Sequence, residues 1–145
     1  SLMSRSTRFP AAVHILTLLA IKKGEYCSSE MIAKSVGTNA VVVRRIVGLL
    51  QQAGFVTSQS GSQGGAMLVV SPEKITLRDI YDAVEEQSVF CMHAPDPKCP
   101  VACCVKDQVN DLLANAEDRM MRELAKTRLS SITKPATTQY RQMSK

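Results

Sequence analysis

Apolar residues between positions 10 and 23 fall on most sides of a 3.6-residue helix. Val13, Ile15, Leu16, Leu18, Leu19 and Ala20 leave only a narrow polar stripe at His14 and Thr17. A helix apolar around most of its circumference is predicted to be central and buried. Gly24 ends it. Ser28-Ser29-Glu30 opens a short second helix that runs through Val36, with Ser28 as its N-cap, because a serine hydroxyl can accept a free first-turn amide. Gly37 supplies a sharp turn, and a third helix is predicted from about Asn39 to Ala53, stopping at Gly54.

That third helix has two distinct sides. At 100° per residue, Val42, Val43, Ile46, Val47, Leu49, Leu50 and Ala53 share one wide arc, which predicts a core face. Val41, Arg44, Arg45, Gly48, Gln51 and Gln52 share the opposite arc. A helix, a glycine turn and a second helix with an arginine-rich outer face form the layout of a helix-turn-helix, although a solvated amphipathic helix would show the same arcs. Residues 55–59 and 66–70 read as strands, and Ser60-Gly61-Ser62-Gln63-Gly64-Gly65 between them has the glycines of a hairpin tip. Two strands placed directly after a recognition helix predict a wing. A phosphate-cradling nucleotide loop is excluded, because no Lys-Ser/Thr pair and no helix follow the glycines.

In the second half, Thr76-Leu77-Arg78-Asp79 resembles a capping box, with Asp where Glu or Gln is usual, and opens a helix through about Glu86 with Ile80, Ala83 and Val84 inward. Residues 87–98 contain prolines and read as irregular. One long helix is predicted over 100–129, with Val105, Val109, Leu112, Leu113, Ala116, Met120, Met121 and Leu124 along one side. A long helix after a complete small domain commonly packs on a copy of itself. The predicted organisation is a winged helix-turn-helix domain over 3–87, a linker and candidate sensor segment over 88–103, a dimerisation helix over 104–130, and a polar, disordered tail over 131–145. Ser1-Leu2 ahead of Met3 is set aside as a vector-derived remnant. The fold class is mainly α with a small β-wing.

Composition adds a direction to this outline. Of 145 residues, 45% are hydrophobic and 21% charged, which suits a folded protein, and aromatics at 4% leave the core to aliphatic side chains. The net charge of +5 lies wholly in the first half. Residues 1–70 hold seven bases (Arg5, Arg8, Lys22, Lys23, Lys34, Arg44, Arg45) against two acids (Glu25, Glu30), whereas residues 71–145 hold eleven of each. A basic surface on a helix-turn-helix scaffold points to a polyanion, and here to double-stranded DNA. No apolar run reaches the roughly 18 residues of a membrane span, and residues 11–21 are interrupted by His14, so no membrane partner and a cytoplasmic location are expected.

The order of these pieces, and the strings AVHILTLLA, SSEMIAKSVGTNAVVVRRIVGLLQQAGFV, GSQGGAMLV, ITLRDIYDAVEE and PDPKCPV, resemble the Rrf-two family of bacterial transcriptional regulators over about residues 4–128. Pro-Asp-Pro-Lys-Cys-Pro-Val is most similar to its YwnA-like branch. The resemblance implies a homodimer joined through the long helix, with two winged domains on a palindromic operator. It also implies groove-facing residues at Asn39, Val41, Arg44 and Arg45, and wing contacts at Ser60, Ser62 and Gln63. Arg5 and Arg8 complete the expected DNA-binding set. The wing tip departs from the frequent Arg-Gly-Pro-Gly-Gly-Gly, having neither the Arg nor the Pro, so a wing arginine in the minor groove has no residue here.

Five cysteines remain: Cys27, Cys91, Cys99, Cys103 and Cys104. An odd number in a cytosolic protein argues against a disulfide framework. Several members of the resembled family carry an iron–sulfur cluster on three cysteines in this region, where Cys91, Cys99 and Cys103 lie with His93 nearby; the gaps of seven and three residues are less even than in those members. A thiol switch on Cys91, Cys99 and Cys103 is the second reading. Pro100 at the first helical position makes Cys99 the N-cap, where a thiolate gains from the helix dipole and free amides, and Cys103 shares its face. Packing as small apolar side chains is the third. No metal ligand set is assigned, and the effector is left open. Only two histidines occur, 79 residues apart, with no catalytic motif around either and no Cys-x-x-Cys beside a βαβ unit, so the chain is not expected to be an enzyme. The expected function is a sequence-specific DNA-binding regulator, a repressor with redox-responsive cysteines. The alternatives are an iron–sulfur sensor of the same family and a winged helix used only for protein contact.

Overall fold

The buried residues of α1 (Arg8–Ile21) form the axis on which the other elements pack. Ala12, Ile15, Leu16 and Leu19 are fully buried or nearly so. The computed structural model describes residues 6–88, 90 and 96–145. Around α1 lie α2 (Ser29–Val36), α3 (Ala40–Gln52), the strands β1 (Val56–Gln59) and β2 (Gly65–Leu68), a 3-10 turn at Pro72–Lys74, α4 (Leu77–Val84), α5 (Pro100–Lys126) and α6 (Ser130–Met143). The fold is mainly helical with one two-stranded antiparallel sheet, in the register Val56 opposite Leu68 and Gln59 opposite Gly65.

Local chemistry sets the helix starts, at Ser28 and Thr76 as predicted and at Asn39 through a cap not singled out in the sequence. Ser28 accepts the Met31 amide at 3.2 Å, Asn39 accepts the Val42 amide at 3.0 Å, and Thr76 and Asp79 exchange bonds of 3.0 and 2.9 Å in a complete capping box. Gly37 adopts φ +85° at the end of α2, a conformation only glycine takes freely, and this lets the chain turn directly into α3.

Several expectations need correction. Thr17, on the polar stripe of α1, is buried, because its hydroxyl turns back to the Val13 carbonyl at 2.7 Å and hides its polarity within the helix. Val42 and Ala53 are exposed although they share the apolar arc of α3; the neighbouring elements cover only the narrower set Val43, Ile46, Val47 and Leu50. The strands are shorter: Phe55, Val69 and Val70 lie outside them, while the Val69 amide still donates to the Phe55 carbonyl at 3.0 Å. α4 ends at Val84, not Glu86.

The larger correction lies at the C-terminus. α5 stops at Lys126, and an antiparallel bridge between Thr76 and Arg128 draws the chain back to the start of α4. Leu129 is then fully buried in the main core, and α6 packs against α1, with Thr133 buried and Lys22 lying 5.3 Å from the Tyr140 ring centre. Residues expected to be disordered therefore form a docked helix. The polar composition suggested disorder, but Ile132, Thr133 and Ala136 face inward often enough to anchor one side, even with Pro135 inside the helix.

Candidate nucleic-acid interface

The exposed arc of α3 forms one wall of an open groove of about 480 Å³. Arg44, Gly48 and Gln51 line this wall; the start of α2, at Ser28, Ser29 and Glu30, lines a second, and the wing, from Ser58 to Ser62 with Gly64 and Gly65, lines the third. The wing is held at this distance by its backbone. The Cys27 and Ala66 amides and carbonyls exchange two bonds of 2.9 Å, so the segment before α2 is stitched to β2. Gly65 sits at that crossing with φ +148°, and a Cβ there would collide with the Cys27 carbonyl. Cys27 itself is buried, and burial, aided by Glu25, pushes its thiol pKa up.

The predicted residues divide between this surface and others. Arg44 and Arg45 both point outward from α3, and Val41 is 73% exposed at its start. Ser60 and Ser62 line the groove, while Gln63 is exposed at the wing tip outside it. Asn39 has its carbonyl oxygen engaged as the N-cap of α3. Arg8 lies elsewhere: it is half-buried, and its Nη1 donates to the Val84 carbonyl at 3.2 Å, tying α1 to the end of α4. Arg5 falls outside the described residues. One residue in the groove was not singled out from the sequence. Glu30 receives a 2.7 Å bond from Arg44 Nη2 across the mouth of the groove. The available signal was that Glu30 is one of two acids in the first 70 residues.

A helix-turn-helix, a wing and a long following helix in this order are found in a known family, and a family model described as Rrf2, an iron-dependent transcriptional regulator, matches residues 5–135. The chain belongs to the Rrf2 family of transcriptional regulators. The resemblance to the YwnA branch holds as well: the candidate HTH-type regulator YwnA of Bacillus subtilis is 39% identical over 129 residues, which is 88% of this chain and 95% of YwnA. A crystal structure of a candidate DNA-binding protein is 36% identical, with a TM-score of 0.72 over 87% of this chain and 98% of that one. The oxidized form of CymR from Staphylococcus aureus is 26% identical, with a TM-score of 0.66 over 90% and 96% of the two chains. The family consists of DNA-binding regulators rather than enzymes. No described helix is long and apolar enough to cross a membrane.

The family's iron-dependent description raises the question of a metal centre. Among the described residues, no three His, Cys, Asp or Glu side chains converge to hold a metal ion. Cys99 caps α5, its sulfur accepting the Ala102 amide at 3.5 Å, and the Cys103 thiol donates to the Pro97 carbonyl at 3.4 Å. Cys104, one residue on, is also exposed. Cys91 and His93 lie outside the described residues. Cys99 and Cys103 thus both lie at the first turn of α5, Cys99 as its N-cap and Cys103 four residues on.

Proposed function

We propose that this Rrf2-family member is a repressor that binds a palindromic operator in the cytoplasm as a homodimer. The observation that carries the reading is the shared groove: the basic arc of α3 and the wing tip form one surface, in the half of the chain that holds the whole net charge of +5. Such a helix fits the major groove, where arginine reads guanine edges, while small polar wing residues suit phosphate and sugar. In this reading Asn39, Val41, Arg44 and Arg45 face the bases, and Ser60, Ser62 and Gln63 hold the backbone. Arg5 and Arg8 add to the positive charge of the same half of the chain. Repression follows from occupancy of the operator alone.

Dimerisation rests on α5. A 27-residue helix spans roughly 40 Å, and none of its described residues is buried. Val101, Val105 and Leu112 are exposed along one side, and a second copy of the helix would cover them. Sensing is assigned to Cys99 and Cys103, with Cys91 as a further partner. Hydrogen peroxide would take two electrons and two protons from a thiol pair, leaving a disulfide and two water molecules. The change falls at the start of α5, where it alters the separation of the two α3 helices and so their match to half-site spacing.

Selection of duplexes from a random library by the native protein tests the reading. An enriched palindrome is expected, and Arg44→Ala or Arg45→Ala should each weaken its binding by ~1–3 kcal/mol per subunit if the arginine reads a base. Failure to enrich any duplex would favour a winged helix used for protein contact.

A further inference from the structure

The Glu30–Arg44 pair stands where an electrostatic approach to DNA would place no acid. Arg44 and Glu30 side chains are 58% and 70% exposed, and an ion pair that open to water contributes little to folding. Its position is what needs explaining. Glu30 is in the first turn of α2, lines the groove, and holds one nitrogen of the Arg44 fork at 2.7 Å. Arg45, the next residue on the outer arc, has no carboxylate within ion-pair distance among the described residues.

We infer that Glu30 is a specificity-determining residue for DNA binding, which restrains Arg44 from neutralising phosphate at random and presents it to a base edge. The inference rests on the DNA-binding reading above. A free arginine on the rim of a groove binds any duplex through phosphate, and each such contact raises sequence-independent affinity. A guanidinium already paired on one side gains little from a single phosphate, which would have to displace the carboxylate. Guanine offers two acceptors, O6 and N7, to the remaining donors. Specificity is a difference of affinities, and an acid here lowers the competing term. Glu30 is thus a positioning residue that acts through Arg44.

The test compares native protein, Glu30→Gln and Glu30→Asp on two probes: a duplex selected by the native protein and a random-sequence duplex of the same length. Glu30→Gln should raise random-duplex affinity about tenfold at low salt, steepen the salt slope by about one per subunit and lower discrimination by a similar factor. Glu30→Asp should restore most of the discrimination. In an Arg44→Ala background, Glu30→Gln should leave discrimination unchanged, as expected if the two side chains act as one unit. A native protein that selects a duplex while Glu30→Gln retains full discrimination overturns the inference alone. Loss of selected-duplex affinity with no gain on random duplex also overturns it, since Glu30 would then contact DNA directly. A native protein that selects no duplex overturns both this inference and the function proposed above.

Discussion

The backbone amide of Leu129 donates to the carbonyl of Ile75 at 2.8 Å, and both side chains are fully buried in the core beneath α1 and α4. The Leu77 amide donates in turn to Thr127 at 2.9 Å, so two backbone bonds clamp the end of α5 to the start of α4. The end of the long helix is therefore joined directly to the core that carries α3, and Leu129, past position 126, is part of that core.

Leu129→Ala should accordingly behave as a core truncation. A cost of about 2–5 kcal/mol is expected, read as a lower denaturant midpoint with an unchanged slope. A midpoint within error of the native value would show that the C-terminal segment does not dock.

The glycines of the interface should separate fold from binding. Gly65→Ala forces a Cβ into the Cys27 carbonyl at φ +148°, so a loss of ~2 kcal/mol or more is expected. Gly48 has open space around its missing Cβ and lies in the middle of α3, so Gly48→Ala should stabilise the fold by ~0.5–1 kcal/mol. Because Gly48 lines the groove, the same change should weaken DNA binding. Equal melting curves for the two variants would contradict the placement of the wing.

What the sequence showed depended on how far each signal reached along the chain. The caps at Ser28 and Thr76, the turn at Gly37 and the opposed arcs of α3 depend on neighbours within a turn, so periodicity and residue chemistry were sufficient. Leu129 and α6 depended on a contact between residues more than fifty positions apart, which no local pattern records. Exposure of Val42 and Ala53 had the same cause: the width of a buried stripe is decided by what packs on it. Arg44 was legible as an outward basic residue, but its pairing with Glu30 needed the crossing of α2 and α3. Arg8 was legible only as charge, and its bond to Val84 could not be read from composition.

The exposed side of α5 should hold the dimer together. Val105→Asp combined with Leu112→Asp alters residues that are 45% and 67% exposed in the isolated chain, so the monomer should fold normally. Sedimentation is expected to show dimers for the native protein and monomers for the variant. A persistent dimer would place the interface elsewhere.

Cys27 should be the protected thiol. Burial raises its pKa, so at pH 8 iodoacetamide should modify Cys103 and Cys104 long before Cys27, as read by peptide mass. The sign for stability follows. The folded chain holds this proton to higher pH than the unfolded chain, so the contribution is complete below the ordinary thiol pKa of about 8.5 and is lost as pH rises through the folded value. Alkylation of Cys27 as fast as Cys103 would contradict its placement beneath the wing.

Binding of a selected palindromic duplex, titrated across salt concentration, measures the central claim most directly. A dimer that neutralises several phosphates from two basic surfaces should lose ~10³-fold or more in affinity between about 50 and 200 mM salt, with a linear plot of log affinity against log salt. Arg44→Ala and Arg45→Ala should shift that line while circular dichroism melts stay within a few degrees of native. A flat salt dependence, or lines for both variants that coincide with the native one, would contradict the assignment of α3 and the wing as the DNA-binding surface.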